Sequence, residues 1–193
     1  MTDQTQTPPP PDDSERLQAQ LRRMSEEQFR RQMRQAANLL SGGNARDAIP
    51  LLERCYDLYP DDVNVLTNLG GAFILAGKHQ RAVPLLEKAT QIAPDNPNVW
   101  SNLAAAYLGK LVTSTRAKQE RALEAYRRVI EIDAAYPNVH YNMGLIYVDR
   151  RDWDSAYDAF TRAIKSNPHD DDAKKMRRRV LEIRSRPADP SLN

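Results

Sequence analysis

The chain has 193 residues, 40% hydrophobic and 28% charged, with a formal net charge of +2. That is ordinary composition for one soluble domain, and the near balance of charge argues against a dedicated nucleic-acid or membrane-surface binder. No apolar run is long enough to span a membrane or to form the core of a signal peptide. The single cysteine, Cys55, leaves no intramolecular disulfide to form, so a cytoplasmic location is the expectation.

Residues 1–12 form a polar, proline-rich leader with nothing to bury, and the composition predicts disorder there. From residue 13 the pattern changes. Leu17, Leu21 and Met24 recur at helical spacing, which predicts an N-terminal helix over 13–28 with one narrow apolar stripe. Ser25 and Gln28 have the spacing of a capping box, so 13–41 reads equally as one helix or as two.

The clearest segment is 63–96, which reads as two amphipathic helices joined by a tight turn. A shift of 34 residues places Leu69 on Leu103 and Asn68 on Asn102. The reverse shift places Ala82 on Ala48 and Pro94 on Pro60. A period of this size is the mark of a solenoid. Four repeats follow from it: 29–62, 63–96, 97–136 and 137–170.

The first repeat is degenerate in its opening helix, where Met33, Ala36, Ala37 and Leu40 keep the stripe. Gly42 and Gly43 make its turn, and Asn44 is placed to cap the next helix. Pro50 and Pro84 fall early in equivalent helices, which predicts a slight bend rather than a break. The third repeat carries six extra residues within 108–120, since Tyr107 and Tyr147 are 40 apart where the period predicts 34. They lengthen the helix pair or form a loop, either as a neutral insertion or as a surface for a partner. After the fourth repeat, 171–186 places Ala173, Met176, Val180 and Ile183 on one face and a dense basic face opposite, the pattern of a capping helix. Residues 187–193 read as a disordered polar tail.

These residues resemble the tetratricopeptide repeat, whose pattern runs W-x2-L-G-x2-Y, A-x3-F-x2-A, P. The second repeat matches at Leu66, Leu69, Gly70, Phe73, Ala82, Leu86, Ala89 and Pro94. The third matches at Trp100, Leu103, Ala104, Tyr107, Ala122, Tyr126 and Val129, with Ala134 in place of the proline. The fourth matches at His140, Met143, Gly144, Tyr147, Ala156, Phe160, Ala163 and Pro168. The resemblance implies an all-α, right-handed α-solenoid, with Gly70, Ala104, Gly144 and Ala82, Ala122, Ala156 where paired helices cross. Phe73, Tyr107, Tyr147 and Phe160 would then fill the space between repeats.

It also implies a non-enzymatic scaffold that binds an extended peptide or a partner helix in a concave groove lined by the first helix of each repeat. The groove residues of this chain would be Asn64, Thr67, Asn68, Asn98, Ser101, Asn102, Asn138, Tyr141 and Asn142, with Ile74, Leu108 and Val148 as floor. Side-chain amides both donate and accept, so rows of asparagine suit a peptide backbone of any sequence. The same asparagines also serve as helix spacers in such repeats. Some members of the family grip the C-terminal carboxylate of a heat-shock chaperone with a lysine–asparagine–arginine clamp. Met33, Thr67, Asn98, Asn102, Asn138 and Asn142 occupy the clamp positions here, so the cations are missing and that role is not expected.

Two other readings remain. One is an adaptor that uses the basic face Lys174, Lys175, Arg177, Arg178, Arg179, Arg184 and Arg186 to meet nucleic acid, a membrane or an acidic protein. The other is self-assembly through the terminal helices. Against the first, Asp170, Asp171 and Asp172 precede the basic residues and no aromatics interleave them. No catalytic motif, metal-ligand spacing or cofactor signature occurs; His79, His140 and His169 fall in unrelated places and Cys55 reads as an inert core residue.

Overall fold

A computed structural model describes residues 13–185; the leader, Arg186 and the tail lie outside it. Nine α-helices follow one another, with no strand among the described residues: α1 (Asp13–Ser41), α2 (Ala45–Leu58), α3 (Val63–Leu75), α4 (His79–Ile92), α5 (Pro97–Leu108), α6 (Arg116–Ile132), α7 (Val139–Asp149), α8 (Trp153–Ser166) and α9 (Asp171–Arg184). Each helix packs chiefly on its neighbours in sequence, and α3 also touches α5. The chain is an α-solenoid of stacked helix pairs.

The continuity of α1 settles the choice left open over 13–41: there is one helix, and Ser25 lies inside it rather than capping a second. Ala36 is fully buried and Met33 and Leu40 half-buried, whereas Ala37 faces solvent instead of joining the stripe. Met24 is exposed; the side chains of Leu17 and Leu21 lie outside those described. Phe29 stacks on Tyr59 with ring centroids 4.4 Å apart, tying the middle of α1 to the end of α2.

Several starts are capped by a side-chain oxygen that takes an orphan backbone N–H. Asp62 accepts from Asn64 and Val65 at 2.8 and 3.0 Å, Asn96 from Asn98 at 3.0 Å, and Asp170 from Ala173 at 2.8 Å. Asn44, expected to cap α2, makes no side-chain cap bond. Its carbonyl instead accepts from Asp47 and Ala48, and the turn rests on Gly43 at φ +77°. Pro50 and Pro84 are each the sixth residue of their helix. Both are exposed, and the helices run through them unbroken. The carbonyls left without an N–H thus lie near water.

Within a pair, the helices close on glycine. A Cβ at Gly70 would stand 2.7 Å from Leu86 Cγ, and one at Gly144 would stand 2.7 Å from the Phe160 ring. The partner across each crossing is thus the large residue of the second helix, not the alanine at 82 or 156. Those alanines are themselves fully buried. Phe160 accordingly fills its own repeat, edge-on to Tyr141 with centroids 5.6 Å apart. Trp100, Tyr107 and Tyr147 each pack against two neighbouring core clusters, so the core runs unbroken along the solenoid.

The six inserted residues divide evenly. Ala82 is the fourth residue of α4, whereas its equivalent Ala122 is the seventh of α6, so α6 begins almost a turn early. The other three residues join one given up by the end of α5 to lengthen the following link, which turns at Gly109 (φ 61°, ψ −137°) and includes a 3-10 turn at Leu111–Thr113. Only glycine adopts that conformation without strain.

Candidate peptide-binding groove and its neighbouring surfaces

The first helices α3, α5 and α7 carry the predicted groove residues, but the structure does not treat them alike. Asn64 and Asn98 are the second residues of α3 and α5 and are exposed. Asn68 and Asn102 lie one turn on, half-buried, and their amides form no hydrogen bond with described residues under ordinary distance and angle limits; the Asn102 amide nitrogen lies over Gly71. Asn64, Asn68 and Asn102 retain donors and acceptors for a ligand, and Asn98 retains its NH2 donors. Ser101 sits half-buried beside them, as do Ile74, Leu108 and Val148.

Other predicted residues are committed elsewhere. Thr67 Oγ1 donates to the Val63 carbonyl at 2.6 Å, within its own helix. Asn98 Oδ1 accepts from the Tyr136 hydroxyl at 2.7 Å, which leaves its NH2 group available. Asn138 is not on the helix at all: it precedes α7 in a left-handed conformation, φ 63°. The expected four-residue pairing of Asn138 with Asn142 on one helical face therefore fails in the fourth repeat. Tyr141 turns to Phe160 and the start of α9, and burial with the charges of Asp172 and Asp170 raises its hydroxyl pKa. Asn142 lies beside Tyr126, whose hydroxyl pKa burial pushes up to about 12, the neighbouring amide acting against the rise. The asparagine rows thus keep their one-turn pairing in the second and third repeats and lose it in the fourth, where Asn138 stands outside the helix.

Two features escaped the sequence reading. The first is an arginine staple that recurs. Arg81 lies 4.1 Å over the Phe73 ring and pairs with Glu53 at 2.9 Å. Arg121 lies 3.9 Å over Tyr107 and pairs with Glu87 at 2.8 Å. Each arginine covers the aromatic of its own repeat and reaches the second helix of the repeat before. Glu53 and Glu87 are 34 apart, so aligning the charged positions of the repeats would have found it.

The second is a polar latch on the extra turn of α6. Gln119 is 3% exposed; its Nε2 donates to Asp149 at 2.6 Å and its Oε1 accepts from Arg150 Nε at 2.8 Å. Arg150 further donates to Glu120 at 2.9 Å and to the Arg116 carbonyl at 3.2 Å. The Arg150 bond is the leading cause of the lowered pKa of Glu120. No spacing in the sequence announces contacts 30 to 34 residues apart through an insertion.

The basic face of α9 is partly spent. Lys174 pairs with Asp171 at 2.9 Å, and Arg184 pairs with Asp154 at 2.6 Å while lying over Tyr157. Lys175, Arg178 and Arg179 are exposed, and Arg177 is half-buried. Ala173 and Val180 are buried against α8, as expected of a cap. Cys55 is fully buried, with Sγ 3.6 Å from Gln32 Oε1, and burial raises its thiol pKa. No group of three or more His, Cys, Asp or Glu among the described residues is placed to hold a metal ion. None of the helices described is long and apolar enough to cross a membrane.

Family models for the tetratricopeptide repeat match 33–97 and 137–170, and a model described as TPR repeat matches 117–150. The chain belongs to the tetratricopeptide-repeat family. The match at 117–150 begins on a second helix, half a repeat out of step with the others, and 98–116, which includes the lengthened link after α5, lies between matches. Among curated protein sequences none matches the chain. Solved tetratricopeptide structures do. A MamA structure superposes with a TM-score of 0.67 at 20% identity, covering 77% of this chain and 84% of that one. TTC0263, a thermophilic tetratricopeptide protein of Thermus thermophilus, gives 0.68 at 18% identity, covering 82% and 84%. The first tetratricopeptide domain of Spaghetti (RPAP3), bound to the HSP90 peptide SRMEEVD, gives 0.56 at 19% identity, covering 64% and 96%. At these identities the likeness carries the fold.

Proposed function

We propose that this tetratricopeptide protein is a non-enzymatic scaffold that receives an extended peptide or a partner helix on α3 and α5. The observation that carries the reading is the pair of equivalent, half-buried and uncommitted amides at Asn68 and Asn102, with exposed Asn64 and Asn98 a turn before them. A backbone amide of the ligand can bond each in turn, while Ile74 and Leu108 offer apolar contact. The groove is shorter than the sequence suggests, because Asn138 lies outside α7 and Tyr141 packs on Phe160. Ligand specificity of the HSP90 kind is not part of the proposal, because the cations that would grip a terminal carboxylate are absent from the groove positions. A cytoplasmic site of action agrees with the lone buried thiol.

The test compares wild type with Asn68→Ala/Asn102→Ala in a quantitative pull-down, after circular dichroism has matched their folded stability. Asn142 is left intact because it lies beside the buried Tyr126. Retention of a partner by wild type and its loss in the variant supports the groove. Equal retention by both removes it.

A further inference from the structure

A cleft of about 620 Å³ opens where the α3–α4 turn faces the inserted link, and none of the row asparagines lines it. Its rim carries Lys78, Lys110 and Lys118, three exposed ammonium groups from three separate segments, none of them ion-paired among the described residues. Arg81 and Arg121 also line it, but each already holds a glutamate and lies over an aromatic ring. No carboxylate lines the cleft, and its walls include Val83, Ala106 and Leu108. The left-handed turn at Gly109 brings Lys110 round to His79: a Cβ at Gly109 would lie 3.9 Å from the His79 ring. His79 Nδ1 is buried in this surface without a hydrogen-bond partner among the described residues.

We infer that this cleft binds an acidic peptide segment, with its carboxylates on Lys78, Lys110 and Lys118 and its backbone at His79. Charge complementarity selects an anion, since three unpaired ammoniums surround an acid-free cleft. The apolar walls between the lysines suit the methylenes of glutamate, which a lone phosphate would leave unused. A neutral imidazole accepts a peptide N–H or donates to a carbonyl according to its tautomer, and either bond satisfies the buried nitrogen. Burial first, and then Lys110 and Lys118, lowers the His79 pKa, the lysines being the same charges that would draw the ligand. This site shares the Leu108 wall with the groove on α3 and α5 but none of its asparagines, so the lysine variants test it independently of that groove.

The probe is an acetylated, amidated hexaglutamate titrated calorimetrically into the full chain at low salt, with the histidine imidazole resonances followed in parallel. The expected result is saturable one-site binding that weakens as salt screens it. The His79 resonance should move and its pKa should rise, because bound carboxylates favour imidazolium. Lys110→Gln/Lys118→Gln should weaken binding by about tenfold or more, the size of losing one or two charge-assisted bonds. Lys174→Gln/Lys175→Gln on α9 should leave it unchanged. Lys110, Lys118 and Lys175 are exposed, and Lys174 is half-buried with only a surface ion pair to Asp171, so the variants keep their melting temperatures. The proposal is overturned by undiminished binding in the Lys110/Lys118 variant, by loss in the α9 variant, by a stationary His79 resonance, or by saturation with pyrophosphate in the absence of hexaglutamate binding.

Discussion

At the scale of single residues, the helix crossings are set by what cannot be added. Leu86 and Phe160 are fully buried, so neither can retreat from a Cβ placed 2.7 Å away. Gly70→Ala is expected to destabilise the fold by about 1–3 kcal/mol through overpacking, measured by urea denaturation. A change under about 0.5 kcal/mol would show that the crossing is looser than described. The third repeat has Ala104 at the same point, with Tyr126 in place of Leu86, so each crossing is fitted as a pair. That glycine belonged there was legible in the repeat pattern; which side chain it accommodates was not, because a period fixes equivalence and not contact. The histidines give a second prediction. Burial lowers the pKa of both His79 and His140, helped by Lys110 and Lys118 in one case and Arg162 in the other. The unfolded chain therefore binds protons more readily, and stability is full above the unfolded value of about 6.5 and falls as pH drops below it. Denaturation midpoints at pH 7.5 and 5.5 should show that loss, and His79→Gln should reduce it.

At the scale of elements, the insertion is built in rather than appended. Half of it extends α6, and the extension is held by Gln119 and Arg150 against the end of α7. Arg150→Ala leaves a buried amide with one partner fewer and should cost about 1–3 kcal/mol. Amide hydrogen exchange should quicken first over 116–120, where the extra turn would fray. Uniform exchange along α6 would contradict the latch. The sequence shows six extra residues and offers helix or loop; both occur, and the division depends on a tertiary polar network that periodicity does not carry. The asparagine rows teach the same lesson. Their equivalence is real in the sequence, but α7 starts two residues later than α3 and α5, leaving Asn138 outside the helix.

At the scale of the whole molecule, each helix rests on its sequence neighbours, so stability accumulates along the stack and the ends need covers. α9 covers α8 with Ala173 and Val180. Truncation before residue 171 should lower the melting temperature and make light scattering grow with concentration, as the apolar end of the fourth repeat is uncovered. An unchanged melting temperature would show that α9 is not a cap. The solenoid as a whole was readable because its period repeats across most of the chain. The surfaces it presents were less so, since a groove amide and a packing amide are the same residue in sequence. The most direct measurement of the central claim is a hydrogen-exchange footprint of the chain with the partner captured by wild type and lost from Asn68→Ala/Asn102→Ala. The account predicts slowed exchange in α3 and α5, with α9 unaffected. Protection confined to α9, or none on α3 and α5, would contradict it.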